Sequence, residues 1–215
     1  MDRKRLHGSI KKELEGNLLP FWREFSLDDV NGGFVAEMAN DGMLNRSVPK
    51  GLILNARLLW TLSALYRELA DARDLDLAGR AYNYLEAHFH DRKNGGYLWH
   101  VAQDGSALDR SKKIYGQAFC IYALSEYYSA TGNGMGLSGA TKLCGLIEQH
   151  AHDSRQGGYI EVLAEDWSPA GDLRLSDKDM DVAKSMNNHL HILAPRSGSR
   201  DKPFSYGTPR HQCCV

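Results

Sequence analysis

The sequence predicts an all-α fold built from repeated helix pairs, with short β-hairpins in the connecting loops. Three observations support this prediction. A phrase, Asp-x-x-Asn/Gln-Gly-Gly followed by an aromatic residue, occurs three times, a helical hydrophobic period fills the segments between its copies, and a lysine follows each copy at the start of a helix. Such self-similarity is typical of repeat proteins, whose units bury their apolar faces by stacking on their neighbours.

The three copies of the phrase are evenly spaced. They occupy residues 28–34, 91–97 and 153–159, and their second glycines are 63 and 62 residues apart. A pattern of several fixed positions at this spacing is far more specific than a single Gly-Gly pair. We therefore expect three structural units of about 62 residues each.

Each phrase leads into a short extended run, for which we expect a small β-hairpin. Asp41-Gly42 and Asp104-Gly105 lie between such runs, and Asp-Gly is a strong hairpin-turn signal. The third unit has no Asp-Gly at this place, and we expect a longer loop through Pro169-Ala170-Gly171.

Apolar residues at i, i+3, i+4 and i+7 indicate two helices in each unit. We align the inner helices on Lys50, Lys113 and Lys184, which open them. The expected helices cover about residues 6–25, 52–66, 77–89, 119–128, 137–147 and 181–193. Antiparallel helix pairs can form an open solenoid or close into a toroid, and the periodicity does not choose between them.

The last part of the chain does not continue the pattern. Residues 194–215 contain Pro195, Pro203 and Pro209 and show no helical period, and prolines at such spacings break helices. We therefore divide the chain into a repeat domain, residues 1–193, and an irregular tail, residues 194–215. The tail is either a flexible terminus or the result of a frameshift or truncation after Leu193, because the sixth helix stops earlier than its two equivalents.

Charge and composition exclude several classes of function. The chain has 26 Lys+Arg and 27 Asp+Glu residues and a net charge of −1, and its basic residues are scattered, so we expect no nucleic-acid partner. No apolar run approaches the roughly 20 residues of a membrane span. The charged N-terminal segment is unlike a signal peptide. We therefore expect a cytoplasmic protein with reduced cysteines and no membrane partner.

Polar differences among the three inner helices mark the candidate functional positions. Seven residues after the aligned lysines stand Arg57, Cys120 and His191, while Tyr115 lies two residues after its lysine and Asn187 three. Asn187 and His191 are spaced i, i+4 and therefore share a helix face. We expect Arg57, Tyr115, Asn187 and His191 to face a shared cavity.

Histidine pairs raise the alternative of a metal site. The two pairs His88/His90 and His150/His152 occupy one repeat position at predicted helix C termini, where the helix dipole favours histidine. Two residues along a helix point about 200° apart, so such a pair does not easily chelate one ion. We expect no metal.

Carboxylates raise the alternative of a glycoside hydrolase. An inverting enzyme on a helical toroid needs two carboxyl groups, an acid and a base. Two acidic groups are available, one before the sixth helix and one at the third hairpin: Asp177, Asp179, Asp181, Glu161, Glu165 and Asp166. Helix capping is the favoured interpretation of the first group.

Three segments resemble the N-acylglucosamine 2-epimerase superfamily. They are Lys50-Gly-Leu-Ile-Leu-Asn-Ala-Arg57-Leu-Leu-Trp60, Lys113-Ile-Tyr115-Gly-Gln-Ala-Phe119 and Lys184-Ser-Met-Asn187-Asn-His-Leu-His191. Within the superfamily the sequence is most similar to the cellobiose 2-epimerases, over about residues 5–193. The resemblance implies an (α/α)6 barrel of six helix pairs, of which this chain is the N-terminal half.

The resemblance also implies an activity, namely inversion of C2 of a reducing-end glucose through ring opening and a cis-enediolate, without a cofactor. It places Arg57 at the O1/O2 side of the sugar, Asn187 and His191 at the reacting sugar, Tyr115 in the pocket wall and Asp179 at a hydroxyl. His191 is expected to assist ring opening. A mono- or disaccharide is the implied substrate.

The resemblance assigns the two proton-transferring histidines to the C-terminal half of the barrel. We therefore expect this polypeptide alone to be weakly active or inactive. Half a toroid also exposes an apolar flank, so we expect self-association. A hydrolase on the same toroid and a non-catalytic sugar-binding fragment are the alternatives.

Overall fold

The computed structural model describes residues 2–175, 178 and 180–193, and these form successive helix pairs. The helices are α1 (Arg3–Glu13), α2 (Leu52–Leu69), α3 (Ala72–Tyr84), α4 (Ile114–Thr131), α5 (Gly134–His150) and α6 (Met186–Leu193). Single π-helical segments follow α1 at Leu14–Leu18 and Phe21–Phe25, and α3 at Leu85–Phe89. None of the helices in this part of the chain is both long and apolar enough to cross a membrane. The predicted tail, residues 194–215, lies outside the described residues.

The helices form an inner and an outer layer. The inner helix α4 packs between α2 and α6, while α3 packs on α2 and α5 on α4. The core lies between these layers, and its fully buried side chains include Leu52, Leu59, Phe89, Ile114 and Leu124. The predicted all-α class with small hairpins is therefore confirmed.

Short antiparallel strands tie each unit to the next. The strands are β1 (Glu37–Met38), β2 (Leu44–Asn45), β3 (Lys50–Gly51), β4 (His100–Val101), β5 (Ala107–Asp109), β6 (Lys112–Lys113) and β7 (Val162–Leu163). β1 pairs with β2, β3 with β4, β4 with β5, and β6 with β7. Because β3 and β6 directly precede α2 and α4, the start of each of these inner helices is fixed against the hairpin of the following unit.

Each repeated phrase folds into the same loop around a buried or partly buried aspartate. In the second unit Asp91 Oδ1 accepts hydrogen bonds from the N–H groups of Lys93 and Asn94. Lys112 Nζ lies 2.8 Å from Asp91 Oδ2, and both side chains are almost fully buried. The same pair joins Lys50 to Asp28 at 2.8 Å and Lys184 to Asp153 at 2.6 Å.

The aspartates are strongly held in the ionised form. Burial alone would raise the pKa of Asp28, but the hydrogen bond from Lys50 and those from Asn31 outweigh burial and lower it to about 2. Such charge-assisted bonds are the stronger class of hydrogen bond. The loop and the start of the inner helix are therefore joined by an ion pair that remains charged at neutral pH.

The ion pair corrects the predicted alignment of the second unit by one residue. Lys112 occupies the place of Lys50 and Lys184, whereas the prediction used Lys113. The amino group of Lys113 instead donates to the carbonyls of Arg174 and Leu175. Two adjacent lysines left this register ambiguous in the sequence.

The shifted register changes which residue of α4 matches Arg57 and His191. Seven residues after Lys112 stands Phe119, not Cys120. Cys120 is fully buried in the core between the helix layers. The predicted equivalence of Cys120 with Arg57 and His191 was therefore wrong.

The third hairpin turns at Asp166-Trp167, before the predicted Pro169–Gly171 loop. Asp166 Oδ1 accepts from the N–H of Ser168, as Asp41 and Asp104 do in their own turns. Trp167 has φ 66°, where the first two units have glycine. Its strained backbone is offset by a buried ring whose Nε1–H donates to Asn94 O at 3.0 Å, since backbone strain persists only where the surroundings over-determine it.

The sixth helix begins at Met186, five residues after the predicted start near Asp181. The N–H of Glu161 donates to the carbonyl of Ala183, which holds the preceding segment extended beside the third hairpin. Ser185 Oγ then accepts from the N–H of Asn188, the arrangement of a helix N-cap. Asp181, the described aspartate of the acidic group, therefore lies outside the helix and accepts a hydrogen bond from the N–H of Leu173, so the predicted capping by this residue was wrong.

Lys112→Met tests the buried ion pair. The substitution leaves the Asp91 carboxylate buried without its cation, and breaking a buried pair in this way typically costs about 3–5 kcal/mol. We expect the free energy of unfolding, measured by urea denaturation, to fall by about 3 kcal/mol.

Lys184→Met is the matched control, because the side chains of that pair are 23% and 21% exposed. We expect it to cost about 1 kcal/mol, the usual upper value for an exposed pair. An equal decrease in the free energy of unfolding in the two variants would contradict the claim that the buried Lys112–Asp91 pair stabilises the fold more than the exposed pair does.

Candidate functional site

The three inner helices bring Arg57, Phe119 and His191 together at equivalent positions. Each residue lies seven positions after the paired lysine of its unit. Because α4 packs between α2 and α6, Phe119 is the middle residue of the row. Arg57 Cζ lies 4.9 Å from the centroid of the Phe119 ring, and the centroids of the Phe119 and His191 rings are 4.7 Å apart.

Tyr115 lies one helical turn before Phe119 and contacts both aromatic members of the row. Its ring meets His191 edge to face, with centroids 4.7 Å apart and an interplanar angle of 85°. The centroids of Tyr115 and Phe119 are 5.1 Å apart. We call Arg57, Tyr115, Phe119 and His191 the inner-face cluster. Two rings of α4 thus hold the imidazole of α6.

The cluster favours a neutral imidazole beside a fixed positive charge. Partial burial and, to a smaller extent, the charge of Arg57 lower the pKa of His191 below its ordinary value. A neutral histidine can accept a proton from a hydroxyl group and pass it on. Arginine carries a permanent charge on a planar donor group, which suits paired oxygen atoms.

Asn187, the other predicted binding residue that the structure describes, lies apart from these contacts. Asn187 is exposed on α6, one turn before His191, at the position equivalent to Tyr115 in α4. It shares the helix face of His191, and the described residues give it no side-chain hydrogen bond. Asp179 lies outside the described residues.

Phe119 is the cluster residue that the sequence analysis missed. The polar residues two positions before each member of the row carry a signal that fixes the register. Gln117 forms hydrogen bonds with both the N–H and the C=O of Tyr97, and His189 Nε2 accepts from the N–H of Tyr159. Aligning the polar residues five positions after the lysine, Asn55, Gln117 and His189, selects Lys112 and thereby Phe119.

The four histidines of the two pairs form contacts that hold loops and hairpins in place. His88 Nδ1 forms a hydrogen bond with the carbonyl of Gly105, and His150 stacks on Trp167. His90 and His152 each form an isolated bridge with the aromatic residue that ends the repeated phrase. In the part of the chain that the structure describes, no three His, Cys, Asp or Glu side chains converge into a metal site.

The carboxylates of the third hairpin also take part in ion pairs or hydrogen bonds within the fold. Glu165 forms an ion pair with Arg110 at 2.9 Å, and Asp166 caps its own turn. Glu161 is buried and accepts a hydrogen bond from the hydroxyl of Ser185. Each of these three carboxyl groups therefore has a structural partner, and Asp177 and Asp179 lie outside the described residues.

Comparison with proteins of known function identifies related sequences. The model of the N-acylglucosamine 2-epimerase (GlcNAc 2-epimerase) family matches residues 32–187. The cellobiose 2-epimerase of Bacteroides fragilis is 43% identical over 190 residues, which are 88% of this chain and 48% of that protein. The cellobiose 2-epimerase of Dictyoglomus turgidum is 36% identical over 193 residues, which are 90% of this chain and 49% of that protein.

Solved structures show the same relationship. The cellobiose 2-epimerase of Spirochaeta thermophila matches with a TM-score of 0.82 and 35% identity, over 89% of this chain and 47% of that one. The cellobiose 2-epimerase of Bacillus thermoamylovorans matches with a TM-score of 0.83 and 34% identity, over 88% of this chain and 49% of that one. The described helix pairs therefore match part of the (α/α)6 barrel of these epimerases.

These matches agree with the repeated loops and inner helices described above. The chain spans about half the length of the relatives it matches. The family model covers most of the chain, from the first repeated phrase to the start of α6. As the sequence predicted, the chain belongs to the N-acylglucosamine 2-epimerase family, a family of carbohydrate epimerases and isomerases.

Proposed function

We propose that the chain supplies one half of the site of a sugar 2-epimerase that inverts C2 of a reducing-end glucose, as in cellobiose. The inner-face cluster carries this proposal, because it brings the guanidinium of Arg57 and the imidazole of His191, from different helices, into one group of contacts. The cellobiose 2-epimerases that match about nine-tenths of the chain support this substrate class. The expected substrate is a mono- or disaccharide, with no cofactor.

Ring opening is the first chemical requirement. The proton on C2 becomes acidic only when C1 is a carbonyl, so the C1–O5 bond of the cyclic sugar must break. His191, as the neutral base, would take the proton from the O1 hydroxyl while C1=O forms, and would then deliver it to O5. The lowered pKa of His191 supports the accepting role.

Stabilisation of the cis-enediolate is the second requirement. Removal of the C2 proton places negative charge on O1, and the O2 hydroxyl lies on the same side of the new C1–C2 double bond. The planar guanidinium of Arg57 would bind both oxygens and stabilise the charge as it develops. Tyr115 would line the pocket, and Asn187 and Asp179 would bind sugar hydroxyls.

The proton transfer at C2 needs further groups. One group must remove the proton from one face of the enediolate and another must return it to the opposite face. The matched relatives continue beyond the aligned region and so have the other half of the barrel. We propose that two histidines in that half perform these steps. The 215-residue chain alone is then weakly active or inactive.

A non-catalytic sugar-binding fragment is the second candidate function. It is favoured by the coverage of only about half of each relative, since the cluster could bind a sugar without turning it over. A hydrolase is less well supported, because the carboxylates of the third hairpin take part in ion pairs, turn capping and a buried hydrogen bond.

The buried thiol of Cys120, which forms no disulfide, agrees with a cytoplasmic location.

A titration of His191 tests the electrostatics of the site. We expect imidazole NMR signals of His191 to report a pKa below 6.5, the ordinary value. Arg57→Gln should raise it, because loss of the positive charge makes protonation easier.

The matched control for this titration is Arg110→Gln, which removes an arginine paired with Glu165 at the third hairpin. It should leave the pKa of His191 unchanged. An unchanged or lower pKa in Arg57→Gln would contradict the proposed arrangement.

Exchange at C2 tests the activity. The 215-residue chain, incubated with cellobiose in D2O, should give little or no C2 deuteration or C2 epimer by NMR. A chimera that joins residues 2–193 to the remaining part of the Bacteroides fragilis relative should give both.

Three variants of the chimera separate the possible roles. Arg57→Ala and His191→Ala should each lower the exchange rate by about 10²-fold or more, the usual range for loss of an electrostatic or acid–base group. His7→Ala, which changes an exposed histidine of α1, is the control. Full exchange in Arg57→Ala and His191→Ala would exclude the proposed roles, and robust turnover by the chain alone would refute its incompleteness.

Light scattering tests the proposed self-association. The α1 edge exposes the large side chains Ile10, Trp22 and Phe25, and we propose that a second copy covers them. We expect a concentration-dependent dimer or larger species that dissociates when Trp22→Ser and Phe25→Ser are combined. A monomer at all concentrations would contradict this proposal.

A further inference from the structure

An apolar residue occupies the centre of the polar row on the inner face. Arg57, Phe119 and His191 stand at equivalent positions of the three units, yet the chemistry proposed above uses only the first and the last. Phe119 contacts every other member of the cluster. Its ring lies 4.9 Å from Arg57 Cζ, and its centroid lies 4.7 Å from that of His191 and 5.1 Å from that of Tyr115.

We infer that Phe119 is a positioning residue, whose ring keeps the guanidinium of Arg57 and the imidazole of His191 apart and fixes both for the same sugar. This inference rests on the proposed function, since it assigns a task within the same site. The order of the helices supports it, because α4, which carries Phe119, lies between α2 and α6, which carry Arg57 and His191.

The first contact fixes Arg57. Arginine has a long side chain with many rotamers, and Arg57 is exposed, so without a partner it would sample many positions. The face of an aromatic ring attracts a guanidinium through the ring quadrupole. The contact with Phe119 therefore restricts the group that is proposed to bind O1 and O2.

The second contact fixes His191. The imidazole is tilted by 34° from the Phe119 ring and stands at 85° to the Tyr115 ring, so the two rings cover different sides of it. Among the described residues, Arg57 on α2 is the charged group that lowers its pKa, Tyr115 on α4 is the titratable residue whose ring contacts it, and Asn187 one turn away on α6 is neutral. Removing Phe119 would open the imidazole to water.

A neighbouring aromatic pair provides a matched control. One turn further along the same two helices, Trp60 stacks on Tyr122 with centroids 5.2 Å apart and an interplanar angle of 9°. Tyr122 is therefore an aromatic residue of α4 that packs on α2 without contributing a ring contact to Arg57 or His191 in the described residues.

NMR of the full 215-residue chain tests the inference without requiring turnover. In the unchanged chain, the side-chain protons of Arg57 should be shifted upfield by the ring current of Phe119. Phe119→Leu keeps an apolar side chain of similar size but should abolish this shift. Phe119→Tyr should restore it, and Tyr122→Leu should leave it in place.

The pKa of His191 is the second readout. Phe119→Ala should move it upward toward its ordinary value, because the imidazole becomes better hydrated and burial lowers the pKa more than the charge of Arg57 does. Phe119→Tyr should leave it low. An unchanged Arg57 signal in Phe119→Leu would overturn the inference. The same changes in Tyr122→Leu would also overturn it, since they would show only a general loosening of α4.

These outcomes are separate from those of the proposed function. If the Arg57 and His191 signals respond to Phe119 as expected while the chimera shows no exchange at C2, the positioning contact holds and the epimerase proposal fails. If the chimera is active and neither signal responds to Phe119, the epimerase proposal holds and the positioning inference fails.

Discussion

The ion pair between the aspartate of each repeated loop and the lysine before each inner helix is the interaction on which the rest of the structure depends. In the second unit it is almost fully buried, and the carboxylate also accepts hydrogen bonds from the loop backbone. A buried charge without its partner is costly, so the loop and the helix start cannot slide past one another. The neighbouring strands β3 and β6 then join α2 and α4 to the hairpin of the following unit.

This constraint explains how three helices from different units present one group of side chains. Once the lysines are fixed, the residues seven positions later lie side by side on α2, α4 and α6. In the proposed site, Arg57 supplies the charge and His191 the neutral base, and the ring of Phe119 contacts both. The repeat thus provides the frame, and different residues at one repeat position provide the chemistry.

Most of the fold could be predicted from the sequence, because the repeated phrase and the helical period are local signals. The register of α4 could not be predicted, because the sequence allows either Lys112 or Lys113 to pair with Asp91. Only the three-dimensional structure, in which Lys112 is the buried partner, distinguishes the two lysines. The third turn was missed because Trp167 replaces the usual glycine, and a tertiary contact with Asn94 compensates. Arg57, Tyr115 and His191 were predicted, whereas Phe119 required the corrected register and Asp179 lies outside the described residues.

Thiol labelling of the native protein tests this register most directly. Cys120 is fully buried, and burial raises the pKa of its thiol, so iodoacetamide should not modify it before unfolding. In Phe119→Cys, the introduced thiol lies on the inner face and should react, with Cys120 in the same peptide as the internal reference and mass spectrometry assigning each site. Protection of Cys120 together with reaction at position 119 is the predicted result. Reaction of Cys120 with protection at position 119 would contradict the register set by Lys112.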